Sequence, residues 1–216
     1  MSLPGEHEFD TVASRDVYSG AIVALRVDRV AMPGGREADR EVVEHHGAVA
    51  VAVLDDLDRL VLIHQYRHPL GRRLWELPAG LLDEPGEAPV AAARRELVEE
   101  TGLAADHWSV LVDVALSPGF TDESVRVFVA TGLHEVGRPD AHDEEADLEI
   151  VRVPLDDAVD MALRGDIVNA TAVSGILALA AARAKGTSLR SADAEWTDRP
   201  EAFTRRKHGR AAHGSA

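Results

Sequence analysis

Glu96, Glu99 and Glu100 are spaced to put three carboxylates on one face of a helix, and no other stretch of this 216-residue chain is better equipped for chemistry. The segment 80 to 103 reads GLLDEPGEAPVAAARRELVEETGL. Pro89 suits a first helical turn, where a missing N–H costs nothing. The alanines with Arg94, Arg95, Glu96 and Leu97 are good helix formers. Gly102 stands where helices commonly end. The spacing therefore predicts a helix over 88 to 101, with Glu96, Glu99 and Glu100 at i, i+3 and i+4. Like charges so placed repel by a few tenths of a kcal/mol per pair. Glu99 and Glu100 also crowd the negative end of the helix dipole. A solvated acidic face is the ordinary explanation of such a helix. Here Gly80, Glu87, Arg95 and Gly102 stand in register with it, a coincidence on the order of 10⁻⁸ per starting position at average residue frequencies.

Clustered carboxylates suit a hard divalent cation with oxygen ligands, Mg²⁺ or Mn²⁺. Such an ion usually takes one or two carboxylates and fills its remaining positions with water and substrate phosphate. A backbone carbonyl of the preceding loop, at Ala79, is a further candidate ligand beside Glu96, Glu99 and Glu100. The chain has no cysteine, which excludes thiolate ligation and fits a reducing compartment, the cytoplasm. His64 and His68 are four apart, but their stretch reads as strand and loop, and zinc is not expected there. His45 and His46 read as surface or interface residues.

The motif at 80 to 103 resembles the Nudix box, G-x5-E-x7-R-E-U-x-E-E-x-G-U, with Leu97 and Leu103 in the bulky aliphatic positions. Six residues rather than five separate Gly80 from Glu87, a departure confined to the loop before the helix. The flanking residues resemble the ADP-ribose pyrophosphatase branch of that family. Trp75-Glu76-Leu77-Pro78-Ala79-Gly80 leads into the box, Gln65-Tyr66-Arg67-His68-Pro69 lies upstream, and Pro118 falls 15 positions beyond Leu103. The resemblance covers residues 18 to 185.

The resemblance implies Mg²⁺- or Mn²⁺-dependent hydrolysis of ADP-ribose to AMP and ribose 5-phosphate. It further implies a general base on the acidic run 142 to 147, at Glu144 or Glu145, with Glu99 as the fallback. Arg67, whose planar fork suits a pair of diphosphate oxygens, joins Glu76, Pro118 and Gly119 as a substrate contact. Arg95 is read as orienting Glu87 or the box carboxylates. In this branch N-terminal strands often exchange between two subunits, which places Tyr18, Arg40 and Glu44 at the nucleotide and implies a homodimer. Two other readings stay open. One is hydrolysis of another nucleoside diphosphate derivative, such as NADH, a nucleotide sugar or a diadenosine polyphosphate. The other is a non-catalytic nucleotide-binding module, against which the complete glutamate set argues.

The elements that must hold this site follow from the hydrophobic pattern. The chain is 45% hydrophobic, enough for one sizeable core. A net charge of −15 argues against nucleic acid as a partner. It also means that an anionic substrate must be welcomed locally, by metal and arginine. The N-terminus shows no signal peptide, and the apolar stretch 170 to 182 is too short to cross a membrane. Strands are expected at 18 to 30, 40 to 44, 110 to 115, 124 to 131 and 150 to 153. A hairpin is expected from 48 to 54 and 60 to 65 about the turn-like Asp55–Asp58. Helices are expected at 156 to 164 and 169 to 185, the second capped by Asn169. This order fits an α/β fold: an α/β/α sandwich on a mixed sheet, with additional antiparallel N-terminal strands. The division expected is an N-terminal strand region at 1 to 40, used for dimerisation, a catalytic domain at 41 to 186, and a poorly ordered tail at 187 to 216.

Overall fold

β4 (Ala48–Val53) is the unbroken apolar run AVAVAV, and such a run is stable only where both faces of a strand are covered. The computed structural model, which describes residues 9 to 139 and 148 to 213 with side chains through 207, places it inside a five-stranded sheet. The order is β11 (Arg190–Ser191), β8 (Leu103–Ala115), β9 (Ser124–Glu135), β4, β7 (Ala79–Leu81). β4 runs parallel to β9 and the other pairs are antiparallel, so the sheet is mixed. A three-stranded sheet adds β10 (Glu149–Pro154), β5 (Arg59–Arg67) and β6 (Arg72–Glu76).

Alternation along β4 and β9 assigns the two faces. Ala50, Ala52, Val125, Val127 and Val129 share a core with Ile176 and Leu179 of α3 (Ala170–Lys185) and Leu155 and Ala158 of α2 (Leu155–Arg164). Val49, Val51, Val53, Phe128 and Ala130 share the other core with Ala92, Ala93 and Leu97 of α1 (Pro89–Thr101). Helices thus cover both faces, which is the sandwich expected. Among the described residues no helix is long and apolar enough to cross a membrane.

By internal contacts the chain forms two compact units. The larger comprises residues 48 to 116 and 124 to 198, and holds the elements above. The smaller joins three separated segments, 1 to 47, 117 to 123 and 199 to 216. Its sheet is the antiparallel meander β1 (Thr11–Ser19), β2 (Val23–Ala31), β3 (Glu37–His45). α4 (Ala202–His213) packs on β3 and buries Phe203 completely.

Three expectations change. The single strand at 18 to 30 is two strands, because the chain turns at Gly20, whose N–H bonds the Val23 carbonyl. β4 and β5 join no common ladder: they sit in different sheets and share one bridge, Leu54 to Leu60. The Asp55 carboxylate takes the N–H groups of Leu57 and Arg59, so the turn is present. β4, however, is wanted between β7 and β9. The described part of the tail after 186 carries β11 and α4 between irregular stretches. Arg126 of β9 anchors it by donating to the carbonyls of Ala194 and Glu195, and its guanidinium lies 4.8 Å from the Trp196 ring.

Candidate active site

The box helix is built as its sequence dictates. α1 begins with proline in its first turn after an extended Ala88. It ends at Gly102, whose φ of 69° is the left-handed conformation that glycine accepts without strain. Ala93, Leu97 and Glu100 fall on one buried stripe, so the third glutamate of the cluster points where a core residue would. Glu100 is 5% exposed, and one of its oxygens accepts the Ala79 N–H at 2.9 Å. Glu96 lies directly over Gly80: a Cβ at residue 80 would stand 1.9 Å from the Glu96 carboxyl carbon. The glycine opening the box is therefore required by the carboxylate, not by its backbone angles.

Burial pushes the Glu100 carboxyl up to about 8, against the Ala79 N–H, and nearby Glu96 and Glu76 push the same way. Glu96 is also raised, by burial first, although Arg95 opposes it. Arg95 donates to Glu96 at 2.7 Å and Glu99 at 2.9 Å, and takes both oxygens of Glu87 at 3.3 and 3.1 Å. Arg95, read as orienting Glu87 or the box carboxylates, thus touches both. Its own pKa is raised, the Glu87 bond leading.

Whether this set suits a cation is a question of donors and charge. Among the described residues no three carboxylate or histidine groups already converge as ligands, and Arg95 stands among Glu87, Glu96 and Glu99 as their counter-charge. The donors are nonetheless all oxygen. Glu100 is buried and Glu96 half-buried, and burial disfavours their ionised forms despite Arg95 and Arg67 nearby, which further positive charge would relieve. A hard divalent cation supplies that charge, so the residues fit one. Ala79, expected to give a carbonyl, is seen to give its N–H to Glu100.

The other expected residues divide between the two units, Arg67 and Glu76 in the larger with the box helix. Arg67 and Glu76, read as two substrate contacts, hold each other: two guanidinium nitrogens of Arg67 take the two carboxylate oxygens at 2.9 and 2.7 Å, with Glu76 2% exposed. His64 stacks on Trp75 at 4.2 Å. Glu144 and Glu145 lie outside the described residues. Tyr18, Arg40, Glu44, Pro118 and Gly119 belong to the smaller unit. Tyr18 is 59% exposed with its ring over Gly20. Arg40 is exposed and bonds the Asp39 carbonyl and the Met32 sulfur. Pro118 and Gly119 are exposed.

Glu44, read as a nucleotide contact, is 3% exposed and pairs with Arg26 and Arg206. One reading is corrected there. His45 and His46, read as surface or interface residues, are buried in the chain. His45 accepts the Gly47 N–H on Nδ1, and His46 meets the Phe203 ring edge-on at 4.5 Å. Arg138, whose Nε donates to the Glu99 carbonyl at 3.0 Å, was not singled out from sequence; nothing in its local pattern marks it. Arg126 did leave a signal, a lone cation within the apolar run Val125–Ala130. It is 2% exposed and bidentate to Asp113.

The fold and the carboxylate helix define a hydrolase of diphosphates that works with a divalent cation, and the chain belongs to the Nudix family. The NUDIX domain model matches residues 44 to 173, and a nucleoside diphosphate sugar hydrolase N-terminal domain model matches residues 9 to 43. The ADP-ribose pyrophosphatase of Mycobacterium tuberculosis is 54% identical over 202 residues, covering 94% of this chain and 98% of that protein. The ADP-ribose pyrophosphatase of Bacillus subtilis is 38% identical over 76% of this chain and 88% of its own length. A methanol dehydrogenase activator of Bacillus methanolicus is 40% identical over 70% and 82%. Among solved structures, an ADP compounds hydrolase superposes with a TM-score of 0.71 at 23% identity, covering 84% of this chain and 98% of that one, and supports the fold.

Proposed function

We propose that this enzyme hydrolyses the diphosphate of ADP-ribose to AMP and ribose 5-phosphate, with Mg²⁺ or Mn²⁺ held by Glu96, Glu99, Glu100 and the Ala79 backbone. The observation that carries the reading is Glu100 buried and Glu96 half-buried over the Ala79–Gly80 backbone, with burial disfavouring the ionised form of each. The identity to the mycobacterial ADP-ribose pyrophosphatase extends on both sides of that site and supports the choice of substrate. When bound, the cation neutralises charge on the non-bridging oxygens and acidifies water. The chain's own part is positioning. Arg95 keeps Glu87, Glu96 and Glu99 in register, and Arg67, braced by Glu76, faces the diphosphate. Glu144 or Glu145 takes the proton from the attacking water, with Glu99 the alternative.

The smaller unit supports a homodimer. β1 is an edge strand exposed along nearly its whole length, with Val12, Val17 and Tyr18 about half exposed. Strands 1 to 40 of a second subunit would cover such an edge and bring Tyr18 and Arg40 to the nucleotide. A cysteine-free chain fits the cytoplasm.

The test is release of AMP from ADP-ribose, assayed beside NADH, GDP-mannose and diadenosine polyphosphates with Mg²⁺ and with Mn²⁺. ADP-ribose should give the highest kcat/KM. A higher kcat/KM for any other substrate overturns the substrate assignment, and binding without turnover overturns the catalytic one.

A further inference from the structure

We propose that Arg138 is a positioning residue for the carboxylate helix, setting the affinity of Glu96, Glu99 and Glu100 for a divalent cation; the inference rests on the metal-dependent reading above. α1 puts two glutamates in its last turn and has no basic residue there. Its C-terminal end thus carries exposed carbonyls, the negative end of the dipole and extra anionic charge together. The cation comes from another element. β9 runs on past Glu135, and the Val136 N–H bonds the Gly102 carbonyl at 3.0 Å. Gly137, at φ 85°, turns the chain across the helix end. Arg138 then donates its Nε to the Glu99 carbonyl at 3.0 Å.

Gly102 makes room for this crossing. A Cβ there would meet the Arg138 backbone nitrogen at 2.9 Å and the Gly137 carbonyl carbon at 3.1 Å. The second glycine of the box thus does two things: it caps the helix, and it lets a guanidinium reach the peptide of Glu99. That peptide carries two adjacent candidate ligands, so its orientation sets where both carboxylates point. Partners that orient ligands from behind are worth about ten- to a hundred-fold in metal affinity.

The test measures Mn²⁺ binding to the full chain by electron paramagnetic resonance, without substrate, for wild type, Arg138→Gln and Arg138→Lys. Thermal unfolding is followed in parallel. Arg138→Gln should weaken Mn²⁺ about tenfold. Arg138→Lys, which keeps a charged donor, should recover most of the loss. Unchanged affinity in Arg138→Gln, with or without a fall in Tm, overturns the proposal, as does equal weakening in both variants. Because no substrate is present, a failure of ADP-ribose hydrolysis leaves this result readable.

Discussion

Glu100 sits where a leucine would serve stability better, and that cost can be measured. Its carboxyl is pushed up to about 8 by burial, well above an unfolded glutamate near ~4.3. The folded metal-free protein therefore holds a proton that the unfolded chain releases. Its contribution to stability is largest below the unfolded value and is lost as pH rises through about 8. Glu100→Gln should abolish that slope, so in chelator the variant's Tm should exceed wild type at pH 8 and match it near pH 5. The same change, like Glu96→Gln, should lower kcat by about 10²-fold or more, on the order of 3 kcal/mol. Wild-type turnover at saturating Mg²⁺ would remove either residue from the site. Gly80→Ala tests the close approach of Glu96. The added methyl must displace the carboxylate, and a misplacement of that order costs about 10²-fold in rate. Circular dichroism should show an unchanged fold. A fully active Gly80→Ala would mean that Glu96 moves without consequence.

Elements divide by how local their signals are. α1 and α3 were legible because their caps and periodicity lie within one stretch of chain. Asn169 accepts the Ala172 N–H at 2.9 Å as a capping residue should. Asn169→Ala should cost about 1 kcal/mol, a Tm fall of about 2–4 °C for a protein of this size. Its kcat should be unchanged, and a loss of activity without a loss of Tm would contradict a purely structural role. The strands were legible as strands but not as partners. Nothing near Leu54 or Leu60 reveals that β4 pairs with β9, which begins some 70 residues later. The candidate site shows the same division. The box carboxylates follow from spacing in one helix. The pairings of Arg67 with Glu76 and of Glu44 with Arg206 follow from the fold, and no local pattern announces either.

At the scale of the whole molecule the smaller unit depends on both ends of the chain. Glu44 links β3 to Arg26 of β2 and to Arg206 of α4. Burial works to raise its carboxyl, but the bonds from Arg206 and Arg26 prevail and hold it below the ordinary range. This pairing stabilises at neutral pH and is lost as pH falls through that depressed value. Glu44→Gln should therefore destabilise the protein at pH 7 and less so in acid, as followed by amide hydrogen exchange in β2 and β3. Equal protection at pH 7 in both proteins would show that the network contributes nothing. Deleting residues 1 to 40 should yield a monomer by light scattering and abolish ADP-ribose hydrolysis with every box carboxylate in place. A full-length monomer with normal activity would show that one chain suffices.

That division of the smaller unit among three distant segments also sets a clock for its birth. β1, β2 and β3 leave the ribosome before the side chains that complete them, Phe203 and Arg206, which emerge about 160 residues later. At roughly 5–20 residues per second that is a wait of about 8–30 seconds. Through it a three-stranded sheet stands with one face and one edge uncovered, in the neighbourhood of identical nascent chains on the same message. Two such chains could pair before either has finished folding.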